Sequence, residues 1–284
     1  IILIFFLTIK SIISLKKEKI EIILSTGGYA PIPLCLAGIF LRKKLYLFEP
    51  NQVLGRSNKF FLKQCVKILC YSKKIKNFPI NSMNKIYLIP PLVKKKYYSS
   101  IKKKSKKFKL AIIGGSQGAK IFDENFHELV GRISKKIDLN VIHQTQKKNI
   151  RYLKKFYKNK KIKNTVFYFK KDLINIIKNT DLCVTRAGAS TLSELFVLNV
   201  PFIAIPLPSS KDNHQYENAN FFKIRKCCWL LEEKKLNKKY LYKFLENIIL
   251  KKEYLKKFNL MKKLNKNFSW NKQTKIISGG FNEN

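Results

Sequence analysis

The sequence predicts an α/β protein of parallel sheets covered by helices, wound as two similar halves. Three observations carry that expectation. Short β-branched and aromatic runs alternate with longer helical patterns from end to end. Small-residue turns each follow a predicted strand and open a helix. A length of 284 residues with 45% hydrophobic side chains supplies two cores, which also excludes disordered and collagen-like classes.

The chain opens on the apolar run Ile1 to Leu7, continuing through Thr8 to Lys17 as a helical pattern with a basic end. The run is too short for a bilayer span, which takes about 20 apolar residues, and lacks the basic region and small-residue cleavage site of a secretory signal. Its plain reading is a core-facing helix; its sharper reading is an apolar patch with a basic rim lying on an anionic membrane face. Strands are expected at Glu21 to Ser25 and Lys44 to Phe48, with a helix from about Pro31 to Leu41 between them, then at Val66 to Tyr71 and Lys85 to Leu88. Pro90, Pro91 and a lysine-rich run to Lys107 break the pattern and place a linker at 93–108, after a first domain at 1–92.

A second series follows: strand Leu110 to Ile113, helix Lys120 to Lys135, strand Leu139 to His143, helix Lys147 to Tyr157, strand Val166 to Phe169, helix Leu173 to Lys178 and strand Leu182 to Thr185. Helix Thr191 to Leu198, strand Phe202 to Ile205, helix Gln215 to Arg225, strand Trp229 to Leu231 and helix Asn237 to Leu250 complete a doubly wound domain at 109–252. A helix from Tyr254 to about Phe268 and a tail, together 253–284, are expected to cross back toward the first domain.

The net charge of +42, from 59 basic against 17 acidic residues, points at first to a polyanion. The basic residues are nearly all lysines, spread evenly among abundant Ile, Asn, Phe and Tyr, the pattern that an AT-rich coding sequence produces. Arginine, the usual reader of bases and forked phosphates, is scarce. The charge is therefore read as solvated surface, and no nucleic-acid partner is expected. Cysteines at 35, 65, 70, 183, 227 and 228 form no Cys-x-x-Cys, and histidines stand only at 127, 143 and 214. Such spacings give neither a metal site nor a disulfide framework, and a reducing cytoplasm is expected. No Asp-x-Asp pair occurs, so any sugar diphosphate is expected to be held by backbone amides and helix ends, with no cofactor.

The chemistry-bearing turns are Ser25-Thr26-Gly27-Gly28-Tyr29-Ala30, Gly114-Gly115-Ser116-Gln117-Gly118-Ala119 and Thr185-Arg186-Ala187-Gly188-Ala189-Ser190-Thr191-Leu192-Ser193-Glu194. Glycines there permit tight turns and close ligand approach, and free amides at the following helix start favour phosphate. Glu194, one turn into its helix, can accept two ribose hydroxyls; the plainer alternative is a capping box with Ser190 or Thr191. Arg186 can equally serve as a salt-bridge partner. Two polar loops past strands, Glu49-Pro50-Asn51 and Asp212-Asn213-His214-Gln215, offer amides suited to sugar hydroxyls, His214 reading as an ordinary loop histidine.

Together these blocks resemble the MurG family of peptidoglycan glycosyltransferases over the whole chain. The resemblance rests on Thr26-Gly27-Gly28-Tyr29, Glu49-Pro50-Asn51, Gly114 to Ala119, Arg186 to Glu194, and Asp212 to Gln215 with Asn218-Ala219. It implies a GT-B fold, two Rossmann-like doubly wound domains facing a cleft, and an inverting transfer of N-acetylglucosamine from UDP-N-acetylglucosamine to undecaprenyl-pyrophosphoryl-MurNAc-pentapeptide at the cytoplasmic face of the inner membrane. By matching positions it places Ser116 on the diphosphate, Ala189, Ser190, Thr191, Leu192 and Ser193 along the nucleotide, Glu194 on the ribose, Gln215 and Asn51 toward the sugar, and Lys170 beside Phe169 at the uracil. Gly27, Gly28, Gly114, Gly115 and Gly118 are the phosphate-facing glycines. The family begins with a further Gly-Gly-Thr-Gly-Gly-His loop bearing a candidate catalytic histidine. This sequence starts past it, so the first domain is expected to be incomplete and no general base is assigned. The readings weighed against this one are another UDP-sugar transferase of the same architecture, a fragment that binds UDP-sugar without turnover, and a nucleic-acid-binding protein.

Overall fold

Two all-parallel sheets organise residues 2–99, 107–115 and 120–282, the residues that the structure, a computed structural model, describes. They belong to two units, Ile1–Leu92 with Trp270–Asn284, and Val93–Ser269.

In the first unit, helix α1 (Ile2–Lys17) buries only Leu15 and packs on α2 (Ile32–Phe40), leaving Ile2, Leu3, Phe5, Phe6 and Ile13 more than half exposed. Between them runs β1 (Ile22–Ser25), followed by β2 (Lys44–Glu49), α3 (Arg56–Phe61), β3 (Lys67–Cys70), a 3₁₀ turn at Ile80–Lys85 and β4 (Ile86–Leu88). The strands pair in chain order, β1-β2-β3-β4. Leu45 and Leu47 face a core with Ile23, Ile68, Cys35 and Phe61, while the intervening Tyr46 is equally buried on the other face. Burial on both faces explains why β2 reads as a continuous apolar run rather than an alternating one.

The loop after β2 is organised by the buried carboxylate of Glu49. Its Oε1 accepts from the Asn51 backbone N–H at 3.1 Å and Asn51 Nδ2 at 3.0 Å, its Oε2 from the Gly55 N–H at 2.8 Å and Asn58 Nδ2 at 3.0 Å. Asn58 in turn lies against Gly27, where an added Cβ would stand 3.2 Å from the Asn58 Nδ2. Gly27 and Gly28 hold φ of +77° and +83°, left-handed values that favour glycine.

The second unit begins with α4 (Lys95–Tyr98), a short helix inside the stretch expected as linker. Then follow β5 (Phe108–Ile113), α5 (Lys120–Ile133), β6 (Leu139–Gln144), a 3₁₀ turn at Lys147–Asn149, α6 (Ile150–Asn159), β7 (Lys163–Phe167), α7 (Ile174–Ile177), β8 (Leu182–Thr185), α8 (Ala189–Val197), β9 (Phe202–Ala204), α9 (His214–Ile224), β10 (Cys228–Leu230), α10 (Lys238–Leu250) and α11 (Glu253–Leu264). The sheet order is β10-β9-β8-β5-β6-β7. Strand β7 starts earlier than its apolar residues suggest because it is a sheet edge, where Lys163 and Thr165 face solvent and hide the pattern.

A last helix, α12 (Trp270–Asn282), belongs to the first unit. There Tyr46 and Tyr87 donate their hydroxyls to the carbonyls of Phe281 and Ile276, each at 3.0 Å. Gly279 and Gly280 weaken its helical signal, but Gly280 is needed: a Cβ there would come within 2.8 Å of the Tyr87 ring. All six cysteines are free and buried.

Behind the first turn of α5 lies a buried polar cluster. Thr145 Oγ1 and Asn149 Nδ2 each donate to Asp123 Oδ2 at 2.7 Å, His143 Nε2 lies 3.2 Å from Asp123 Oδ1, and His143 Nδ1 lies 2.8 Å from the Tyr157 hydroxyl. Burial alone would raise the Asp123 pKa, but His143 and the two hydrogen bonds outweigh it and hold the carboxyl below its usual value. Burial also pushes the His143 pKa down, against the pull of Asp123, and keeps the imidazole neutral.

Two outcomes are expected. Unfolded His143 takes up a proton near pH 6.5 while folded His143 does not, so stability present above pH 6.5 is lost as pH falls below it, by up to about 1.4 kcal/mol per pH unit. Asp123 adds a further loss only below its unfolded value of 3.8, as pH falls through its depressed folded value. Thermal unfolding of the wild type and His143→Gln across this range checks it, the variant showing the flatter slope below pH 6.5. In the other unit, Glu49→Ala strips four donors of their acceptor and is expected to cost roughly 3 kcal/mol or more in denaturant unfolding. Glu49→Gln, which keeps one acceptor oxygen but turns an amide donor toward the rest, falls between.

Candidate functional site

In the second unit β5 and β8 are adjacent central strands, with Ile113 in register with Thr185. From them the chain proceeds outward in opposite directions, to β6 and β7 on one side and β9 and β10 on the other. This order is the dinucleotide-fold order, and the point where it reverses leaves a crevice at the carboxyl ends of the two central strands, where such sheets bind ligands.

Both walls of the crevice are turns the sequence marked. After β5, Gly114 and Gly115 make the turn; Gly115 has φ +90° and open space where a Cβ would stand. Ser116 and Gly118, expected on the diphosphate, lie outside the described residues. Buried Gln144, at the end of β6, donates Nε2 to the carbonyls of Gly115 and Tyr168, tying the turn after β5 to the loop after β7. Gln144 escaped the sequence reading because a polar residue closing an apolar strand has no motif.

After β8, Gly188 in extended conformation starts α8 with no side-chain cap. Helix geometry leaves the amides of Ala189, Ser190 and Thr191 without intrahelical partners, at the positive end of the helix dipole. Leu192 and Ser193 are buried, and the Leu192 N–H already donates to the Gly188 carbonyl at 3.1 Å. Glu194 forms no capping box; its partly buried carboxylate accepts from the Tyr97 hydroxyl on α4. Burial pushes the Glu194 pKa up, while Tyr97, Lys94 and Lys96 pull against it. Arg186 ion-pairs with Glu233 and donates to the carbonyls of Ile205 and Pro206, the salt-bridge alternative weighed for it.

Gln215, at the start of α9, stitches two loops: its Oε1 accepts from the Ala187 N–H at 3.2 Å and the Leu207 N–H at 3.0 Å, and Asn218 Nδ2 donates to Ala187 O at 3.2 Å. The Gln215 oxygen is thus engaged, and its amide N–H groups are the part suited to a sugar. His214 is half-buried, with Nδ1 2.7 Å from the Lys211 carbonyl, an ordinary loop contact. Lys170 is exposed beyond β7, its Nζ 6.0 Å from the Phe167 ring centre, next to the 63% exposed Phe169. The structure therefore groups Gly114, Gly115, the start of α8, Glu194 and Gln215 in one unit. Asn51, Gly27 and Gly28 form a separate cluster in the first unit, around Glu49. Among the described residues no group of three or more His, Cys, Asp or Glu side chains could hold a metal ion.

Residues 109–274 match the model of the glycosyltransferase family 28 C-terminal domain. A UDP-N-acetylglucosamine--N-acetylmuramyl-(pentapeptide) pyrophosphoryl-undecaprenol N-acetylglucosamine transferase of Pelagibacter ubique (strain HTCC1062) is 48% identical over 98% of this chain and 79% of its own length. One of the same name from Rickettsia bellii (strain RML369-C) is 35% identical over 80% of this chain and 66% of its own length. The crystal structure of Acinetobacter baumannii MurG shares the fold, with a TM-score of 0.76 over 97% of this chain and 79% of that one at 19% identity. Two Rossmann-like units of the GT-B type, a match to the family's C-terminal domain and a relative 48% identical over nearly the whole chain make this chain a member of glycosyltransferase family 28, in its MurG branch.

Proposed function

We propose that this chain is a hexosyltransferase that moves N-acetylglucosamine from UDP-N-acetylglucosamine to undecaprenyl-pyrophosphoryl-N-acetylmuramyl-pentapeptide, with the donor held in the crevice of the second unit. The observation that carries the donor assignment is the placement of uncapped helix amides and an acid one turn further along α8 at the switch point of the sheet. The diphosphate fits the Gly114-Gly115 turn and the start of α8, where the dipole favours its charge. The ribose fits Glu194, whose ionised carboxylate accepts from two hydroxyls. The amide donors of Gln215 suit the sugar, and the backbone beside Lys170 suits the uracil.

The reaction is a single displacement with inversion. The acceptor 4-hydroxyl oxygen bonds to the anomeric carbon as the bond from that carbon to the diphosphate oxygen breaks, and the hydroxyl proton passes to a base. The leaving UDP gains a negative charge, which oriented amides stabilise without reorganising.

For the first unit we propose a peripheral seat on the anionic cytoplasmic face of the inner membrane. Supporting it are the exposed apolar side chains of α1, with Lys16 and Lys17 in its last turn and Lys10 over the Phe6 ring at 4.6 Å. No helix among the described residues is long and apolar enough to cross a membrane.

UDP release on adding donor and lipid acceptor, with binding of UDP measured alongside, tests the assignment. Glu194→Gln is expected to weaken UDP binding about 10-fold to 100-fold, the loss of hydrogen bonds to a charged acceptor. Because acceptance requires the ionised carboxylate and burial raises its pKa, wild-type affinity falls as pH drops toward a value above 4.5; the Gln variant shows no such fall.

A further inference from the structure

Helix α4 lies just past the first unit in the chain and packs on α8. Its Tyr97 is only 5% exposed, and the buried phenol meets Glu194. The adjacent Lys96 forms an ion pair with Asp172, in the loop after β7 that also carries Lys170. One four-residue helix therefore grips both the acid on α8 and the loop on the far side of the crevice. A tyrosine buried mainly for packing needs no acidic partner, and a half-buried carboxylate free to rotate would not serve two adjacent hydroxyls equally well.

We propose that Tyr97 is a positioning residue for the donor nucleotide: its hydroxyl donates to one part of the Glu194 carboxylate and fixes the plane in which the remaining lone pairs meet the ribose hydroxyls. The proposal rests on the reading of Glu194 as the ribose acceptor. It makes Tyr97 a determinant of ribose discrimination although it touches no substrate atom. Lys96 and Asp172 act with it by holding α4 in place, and their exposed pair adds little stability of its own.

The test compares binding of UDP and 2′-deoxy-UDP by titration calorimetry to the wild type, Tyr97→Phe and Glu194→Gln. Phenylalanine keeps the ring packing, so the fold is retained and only the donated hydrogen bond goes. The wild type is expected to prefer UDP by about 10-fold, and Tyr97→Phe to lower UDP affinity about fivefold while leaving 2′-deoxy-UDP nearly unchanged, the scale of one hydrogen bond. A purely structural tyrosine would weaken both ligands equally and leave their ratio intact. If the wild type discriminates, Glu194→Gln abolishes the discrimination and Tyr97→Phe keeps the wild-type ratio, the positioning role of Tyr97 is overturned alone. If neither the wild type nor Glu194→Gln distinguishes the two nucleotides, the ribose reading of Glu194 falls, and the role of Tyr97 with it.

Discussion

The parallel pairing of β5 with β8 is the constraint from which the donor site follows. It sets two strands side by side whose following helices leave in opposite senses, so the carboxyl end between them is the one place no crossover covers. The amides at the start of α8 and the turn at Gly114-Gly115 are thereby brought together from residues far apart in sequence. Glu194 stands one turn behind them because a helix rises only about 1.5 Å per residue.

Side-chain hydrogen bonds hold the loops around that crevice. Gln144 joins the turn after β5 to the loop after β7, and Gln215 with Asn218 joins the turn after β8 to the loop after β9. Glu49 does the same for the first unit. Apart from the exposed Leu207 N–H, the groups engaged are buried or partly buried, where an unmade bond costs more than a made one gains. Loops fixed in this way keep their amides oriented when charge develops on a diphosphate.

Much of this was legible in the sequence for a definite reason. Central strands such as Leu182–Thr185 are buried on both faces and read as apolar runs, and the turns at Gly27-Gly28 and Gly114-Gly115 announce themselves through glycine. What stayed hidden depends on tertiary partners. Lys163 to Thr165 are strand only because β6 pairs with them, and α12 is helix despite Gly279-Gly280 because Tyr87 needs the space. Tyr97 sits in a lysine-rich stretch after two prolines that reads as a connection; nothing local to it signals an acid nearly a hundred residues on. The hub role of Glu49 was likewise invisible, since Glu-Pro-Asn displays polar groups without telling which of them faces inward.

The central claim is that the nucleotide of the donor occupies the switch-point crevice of the second unit. Amide hydrogen exchange with and without UDP addresses it directly. The account predicts slowed exchange at the start of α8 and in the turn after β5, with the first unit unchanged by UDP alone. Protection centred elsewhere, or none at the start of α8 at saturating UDP, would contradict it.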